Sequence, residues 1–185
     1  ASGQLTPTAL AMIAGILEHA PALSALSNPT VNAFKRLGPD TLAPYRVNWG
    51  LDNRSTMVRI PPERGKGTRL ELRIGDGAAN PYVISAAILA AALDGIRREL
   101  APPPALEGWT YEDESAPVLP MTLEDALAAL DADDVLKDML LQLGARHPAD
   151  RGQVSSLGWA AGGTLSGRIA IRSVDRQYRR DARRA

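Results

Sequence analysis

No cysteine occurs in the 185 residues. Disulfide frameworks, zinc ribbons and thiol nucleophiles are therefore excluded, and a reducing cytoplasm is compatible with the composition. Histidine is almost missing as well. His19 and His147 stand far apart, with no second histidine or carboxylate at metal-ligand spacing. Excess charge of either sign is absent, since 21 Lys and Arg balance 21 Asp and Glu. The molecule as a whole makes no electrostatic claim on nucleic acid or an anionic membrane. Long apolar runs are missing too: the longest, Val83 to Leu93, is too short and too rich in alanine to span a bilayer. Ala1 to Pro21 has no basic start of the kind a signal peptide carries. The chain opens without methionine, and the expectation is a piece of something longer.

The hydrophobic fraction (45%) and the charged fraction (23%) are those of an ordinary globular domain. The neutral total hides an asymmetry: Gly144 to Ala185 holds nine Arg and three Asp, hence +6, against −6 for the remainder. The most informative stretch is Thr68 to Asp76. Read at period two, Leu70, Leu72 and Ile74 face one way, and Arg69, Glu71 and Arg73 the other. Such a strand buries an aliphatic face and exposes a carboxylate flanked by two guanidiniums. Asn53-Arg54-Ser55, Val58-Arg59-Ile60 and Phe34-Lys35-Arg36 add more arginine nearby in sequence. One carboxylate among several arginines suits a site that holds polyphosphate and a divalent cation together. A solvated face of alternating charge is the plain alternative.

In chain order, Thr6 to Ala22 reads as one amphipathic helix, with Pro7 in its first turn and His19 near its C-terminus. Val31 to Leu37 predicts a further helical turn or two after Asn28-Pro29-Thr30. Tyr45 to Gly50, Thr56 to Ile60 and Arg69 to Ile74 are strand candidates, with a tight turn at Asp52-Asn53. Asn80 caps a helix running to about Leu100, which Pro102-Pro103-Pro104 ends. Thr122 to Asp125 has capping-box chemistry, and a last helix spans Asp133 to Leu143. After Leu143 no apolar period holds, and 144–185 reads as an Arg- and Gly-rich, poorly ordered tail.

The runs "NPTVNAFKRL", "WGLDNRSTMVRIP", "RLELRIGDGAANPY" and "LDGI", in that order and spacing, resemble the C-terminal half of the glutamine synthetase catalytic domain over roughly Leu10 to Met139. The resemblance implies an α+β fold for residues 1–143, a curved, mainly antiparallel sheet whose arginine-bearing face lines a cleft and is backed by helices. It implies that Glu71 binds the metal, Mg2+ or Mn2+. Arg54 and Arg59 are implied to hold ATP phosphates and the phosphoryl group in flight as catalytic residues. Lys66 and Arg69 lie on the nucleotide side. Arg36 and Arg73, with Arg54, are implied to hold substrate glutamate. The implied reaction phosphorylates the γ-carboxylate of glutamate with ATP, and ammonia or an amine then displaces phosphate. The resemblance further implies a cytoplasmic, ring-forming homo-oligomer whose sites lie between subunits.

Three departures bear on that expectation. Ammonia-using members carry a glutamate in the loop after "KRL"; Leu42 stands there, and it can neither bind a cation nor accept a proton. A bulkier, less polar amine is the acceptor this suggests, with Asp40 as a substitute if the loop is shifted. The family's N-terminal domain and other metal ligands would precede Ala1, so this chain alone should be inactive. The tail resembles nothing in the family, as a frame shift would produce. Tyr111 lies near where some bacterial members carry a modified tyrosine, but its flanks differ and packing is the better reading. The functional alternative is a non-catalytic paralogue or relic with a scaffold or regulatory role. Nucleic-acid binding through the tail is the weakest reading, with only Trp159 and Tyr178 for stacking.

Overall fold

The Thr6 side chain accepts a hydrogen bond from the Ala9 amide, and Pro7 needs no amide partner at its position, so α1 (Pro7–Glu18) starts there. It does not run on to Ala22. Pro21 has no N–H for the carbonyl four residues back, and its ring crowds that carbonyl. The chain therefore breaks at His19 and continues as α2 (Ala20–Ser27), bent 71° from α1. The protein is seen in a computed structural model that describes residues 4–39 and 41–146, the side chains of residues 144–146 excepted. Thr30 caps the short α3 (Val31–Phe34). Asn80 caps α4 (Pro81–Arg97) through the amides of Tyr82 and Val83. Thr122 caps α5 (Leu123–Ala132), and α6 (Asp134–Arg146) follows directly. The reading of 144–185 as a poorly ordered tail falls largely outside the described residues.

The strands are shorter than their sequence patterns: β1 (Trp49–Leu51), β2 (Val58–Ile60) and β3 (Glu71–Leu72), in the order β1-β2-β3. β2 and β3 pair antiparallel, but β1 and β2 pair parallel, so among the described residues the sheet is mixed and not mainly antiparallel. The tight turn expected at Asp52-Asn53 is instead a loop that returns the chain in its original direction. Side chains build it. Asn53 Oδ1 accepts from the Ser55 amide (3.0 Å), Thr56 Oγ1 donates to Asn53 O (2.9 Å), and Asn48 Oδ1 accepts from the Met57 amide (3.3 Å). These bonds take up the backbone groups a hairpin ladder would have used. The α+β class itself stands, with the small sheet backed by helices.

One hydrophobic core joins helices and sheet. Ile13, Leu23, Met57, Ile60 and Ile74 are fully or almost fully buried, and each large aliphatic contributes about 1.5–3 kcal/mol. α1 crosses α4 at backbone contact distance. A Cβ on Gly15 would lie 2.1 Å from Ala91 O, and one on Gly95 would lie 2.1 Å from Ala11 O. The alanine-rich pattern of α4 is thus a close-packing device. No single helix among the described residues is long and apolar enough to cross a membrane; together α1 and α2 pass that test as a bent pair, and most of their residues are buried in this core.

Candidate active site

The register of β2 against β3 sets the site. Arg59 lies directly across from Glu71, and the flanking Val58 and Leu72 pair on the opposite face. Arg59 Nη1 donates to Glu71 Oε2 at 2.8 Å, and Arg69 Nε donates to Glu71 Oε1 at 3.0 Å. Each guanidinium also holds a second carboxylate. Arg59 Nη2 reaches Asp52 Oδ1 at 2.5 Å, and Arg69 Nη1 reaches Glu63 Oε2 at 3.2 Å. The result is a chain of alternating charge, Asp52–Arg59–Glu71–Arg69–Glu63, along one face of the sheet. The Arg59 hydrogen bond leads in holding the Glu71 carboxyl below the usual range; partial desolvation opposes it and Arg69 reinforces it.

Arg73 completes that face. Burial pushes its guanidinium pKa down, and the like charges of Arg59 and Arg54 add to the fall, while Glu71 and Tyr111 oppose it. Its Nη1 is buried without a hydrogen-bond partner. Arg54, Arg59, Glu71 and Tyr111 therefore each lie close enough for Arg73 to feel their charge. Arg54 is exposed at the head of the β1–β2 loop. Lys66 is exposed on the 3-10 turn Gly65–Gly67 and makes no ion pair among the described residues.

Arg36 is differently placed. Its Nη2 donates to Asn28 Oδ1 (2.9 Å) and Ile74 O (2.5 Å), and its Nε lies 3.5 Å from Asp76. It ties α2 and α3 to the backbone just past β3, at Ile74, one residue beyond Arg73. The loop that follows carries Leu42, which is 92% exposed; Asp40 lies outside the described residues. Tyr111 OH donates to Thr41 O and so tethers this loop. Tyr111 also stacks between Tyr45 (5.9 Å) and Trp109 (6.4 Å between ring centroids). Those contacts give Tyr111 a packing role.

Sequence reasoning passed over Asp52 except as a turn marker, and it missed the network behind Arg54. Ser55 Oγ donates to Asn53 Oδ1 (2.7 Å) and accepts from the Thr110 amide (3.0 Å). Asn53 Nδ2 reaches Gly108 O (2.6 Å), and Asn48 Nδ2 reaches Asp113 (3.2 Å). These contacts dock the arginine-bearing loop on the 106–113 segment. No local period signals them, because the partners are more than fifty positions apart.

Among the described residues no three His, Cys, Asp or Glu side chains converge as a metal site. Glu71 is a hard oxygen donor on a strand and fits as one ligand of a larger set, and the arginine face beside it fits phosphate oxygens.

Residues 1–145 match the family model described as glutamine synthetase, catalytic domain. The glutamine synthetase of Thermus thermophilus is 46% identical over 144 residues, which is 74% of this chain and 32% of that protein. The Thermotoga maritima glutamine synthetase is 45% identical over 135 residues, 69% of this chain and 31% of that protein. A solved GmaS/ADP complex superposes with a TM-score of 0.68 at 41% identity, covering 83% of this chain and 38% of that one. The chain thus spans about a third of the length of these relatives. It belongs to the glutamine synthetase family, with residues 1–145 lying in the catalytic domain.

Proposed function

We propose that this chain supplies the nucleotide- and glutamate-facing part of an ATP-dependent ligase that forms a γ-glutamyl amide from glutamate and ammonia or an amine by way of γ-glutamyl phosphate. The observation that carries the reading is the Glu71 carboxylate, set across from Arg59 and held between Arg59 and Arg69, with Arg73 close enough to feel its charge. Arg59 and Arg54 take the catalytic role of spreading charge on the phosphoryl group. Arg54, Arg59, Lys66 and Arg69 hold ATP. Arg36, Arg54 and Arg73 hold glutamate, and Arg36 must exchange a protein partner to do so. Glu71 helps hold Mg2+ or Mn2+, which would neutralise phosphate charge, and the other ligands come from outside the described residues. That the GmaS neighbour was solved with ADP supports the nucleotide side of the reading.

The acceptor is an alkylamine or another apolar amine, supported by the exposed Leu42 at the tip of a tethered loop. The rest of the proposal is a cytoplasmic, ring-forming homo-oligomer in which residues 1–143 are the family part and 144–185 a separate tail. A non-catalytic scaffold is the second reading, and one observation favours it: two guanidiniums already neutralise Glu71. Phosphate release from ATP and glutamate by the complete gene product, across a panel of ammonia and primary amines, decides between them. Amine-dependent release that falls at least tenfold in Arg59→Gln is the expected result. No release with any acceptor would leave the scaffold, and turnover with ammonia alone would remove the apolar-amine assignment.

A further inference from the structure

Arg59 cannot serve Glu71 and a phosphate group with the same N–H at the same time. Its side chain is 14% exposed and its Nε has no hydrogen-bond partner, so the two terminal nitrogens carry all its pairing. Were Glu71 engaged by a cation, Nη1 would come free, and Asp52 would be the partner left to Nη2 among the described residues. Asp52 is therefore the one contact that keeps the guanidinium aimed while its other partner changes. Its backbone shows the same commitment. Asp52 is a non-glycine residue at φ 47°, and its amide donates to Ile60 O at 2.8 Å, which fixes the carboxylate beside the end of β2. Left-handed backbone costs an ordinary residue about 1–2 kcal/mol, and Asp and Asn bear it best. Arg69 has a parallel fallback in Glu63, but there both side chains are about half exposed, whereas in the Arg59–Asp52 pair only Asp52 is, so water screens the Arg69 pair more.

We infer that Asp52 is a positioning residue for the nucleotide site: it anchors Arg59 so that Glu71 can be given up to a cation and Nη1 turned to a phosphate oxygen without leaving a half-buried guanidinium adrift. The inference rests on the ligase reading and deepens it, since neither the sequence pattern nor the family resemblance gave Asp52 a role. It makes cation and nucleotide binding mutually favourable, because each removes a competitor from the other's partner.

The test is binding of a non-hydrolysable ATP analogue, by calorimetry with saturating Mg2+, to the complete gene product. Asp52→Asn keeps the shape and tolerates the left-handed backbone, so folding is preserved and an unchanged melting temperature checks it. Losing one charge-assisted contact predicts roughly tenfold weaker binding. In an Arg59→Gln background the same substitution should change affinity less than twofold, because its target is gone. Asp52→Glu should recover part of the loss. An Asp52→Asn effect that persists at full size without Arg59 would make Asp52 a source of field alone and overturn the proposal, as would no effect at all. If Arg59→Gln itself leaves affinity unchanged, the nucleotide assignment of this face fails along with it, which separates the two failures.

Discussion

Glu71 makes its contacts from a two-residue strand, and its consequences are testable one side chain at a time. Its pairs with Arg59 and Arg69 are partly exposed, so Glu71→Gln should leave the melting temperature nearly unchanged. If it holds the catalytic cation, the same change should slow amide formation about a hundredfold or more, a contact worth roughly 3 kcal/mol in the transition state. A rate within threefold of wild type would remove the metal role. His19 is the other residue whose partners no local pattern reveals. It is buried at the break between α1 and α2, with Nδ1 2.6 Å from Asp133 and Nε2 3.1 Å from Asp94. Burial pulls its pKa down, but the two carboxylates overcome that and hold it above the ordinary value. A raised folded pKa stabilises fully below the unfolded value, about 6.5, and that stability is lost as pH rises through the folded value. Asp94 has the opposite sign. Despite its own burial, His19 and Arg98 hold its pKa low, so its contribution is lost only in acid. The melting temperature should therefore fall as pH is raised above about 7, and His19→Gln should flatten that slope while costing roughly 2–4 kcal/mol at pH 6. An unchanged slope in the variant would clear His19 of the effect. The helix-end imidazolium was readable from sequence; the carboxylates are 75 and 114 positions away and were not.

Helices rather than strands carry the architecture, and their contacts set how much change they tolerate. α1 and α4 meet through Ala11, Gly15, Ala91 and Gly95, where the near atoms are backbone and cannot swing aside. Gly15→Ala or Gly95→Ala must push the axes apart and should cost about 2–3 kcal/mol or more, read by chemical denaturation. Ala-for-Gly exchange usually stabilises an exposed helix, so a neutral or positive result would contradict this close crossing. The 38–44 loop poses the reverse case: the Tyr111 hydroxyl reaches Thr41 O from outside, beside bonds that Thr41 makes to Gly38 O and Ala43 O within the loop. Tyr111→Phe should leave the fold intact, speed hydrogen exchange of the Thr41–Ala43 amides severalfold, and raise the KM for the amine more than that for ATP. Equal exchange rates would mean that the loop holds itself. Helix starts were legible because Thr6, Asn80 and Thr122 announce them chemically. The sheet was less so: Asn53 and Thr56 build a longer, parallel return where the residues alone suggest a tight turn.

The molecule presents large apolar side chains at its surface. Tyr82, Leu89 and Leu93 are exposed along α4, and β1 and β3 are the edge strands of the sheet, with Trp49 O taken up by the Leu106 amide. A chain spanning about a third of its relatives should self-associate when made alone. Light scattering on the 185-residue chain should give masses above the monomer, and Leu89→Glu with Leu93→Glu should reduce them. A clean monomer would show that this face tolerates water. The isolated chain should also release no phosphate from ATP with glutamate and amine, because one carboxylate does not retain a divalent ion.

Alternating charge on Arg69, Glu71 and Arg73, cap residues at three helices and the arginine-bearing motifs were written locally, in periods and spacings that survive without any partner. They were enough for the α+β class and the family, and they point to Glu71 as an acid set between arginines. Which guanidinium faces it was another matter. Register alone put Arg59 across from Glu71, and the loop closed by Asn53 brought Asp52 to the far side of that guanidinium. Arg36 came to grip Ile74 O and Asp76 through the same kind of long-range placement. Pairing of charges depends on distances between strands, and those distances are fixed only when the buried aliphatic face on the other side has packed.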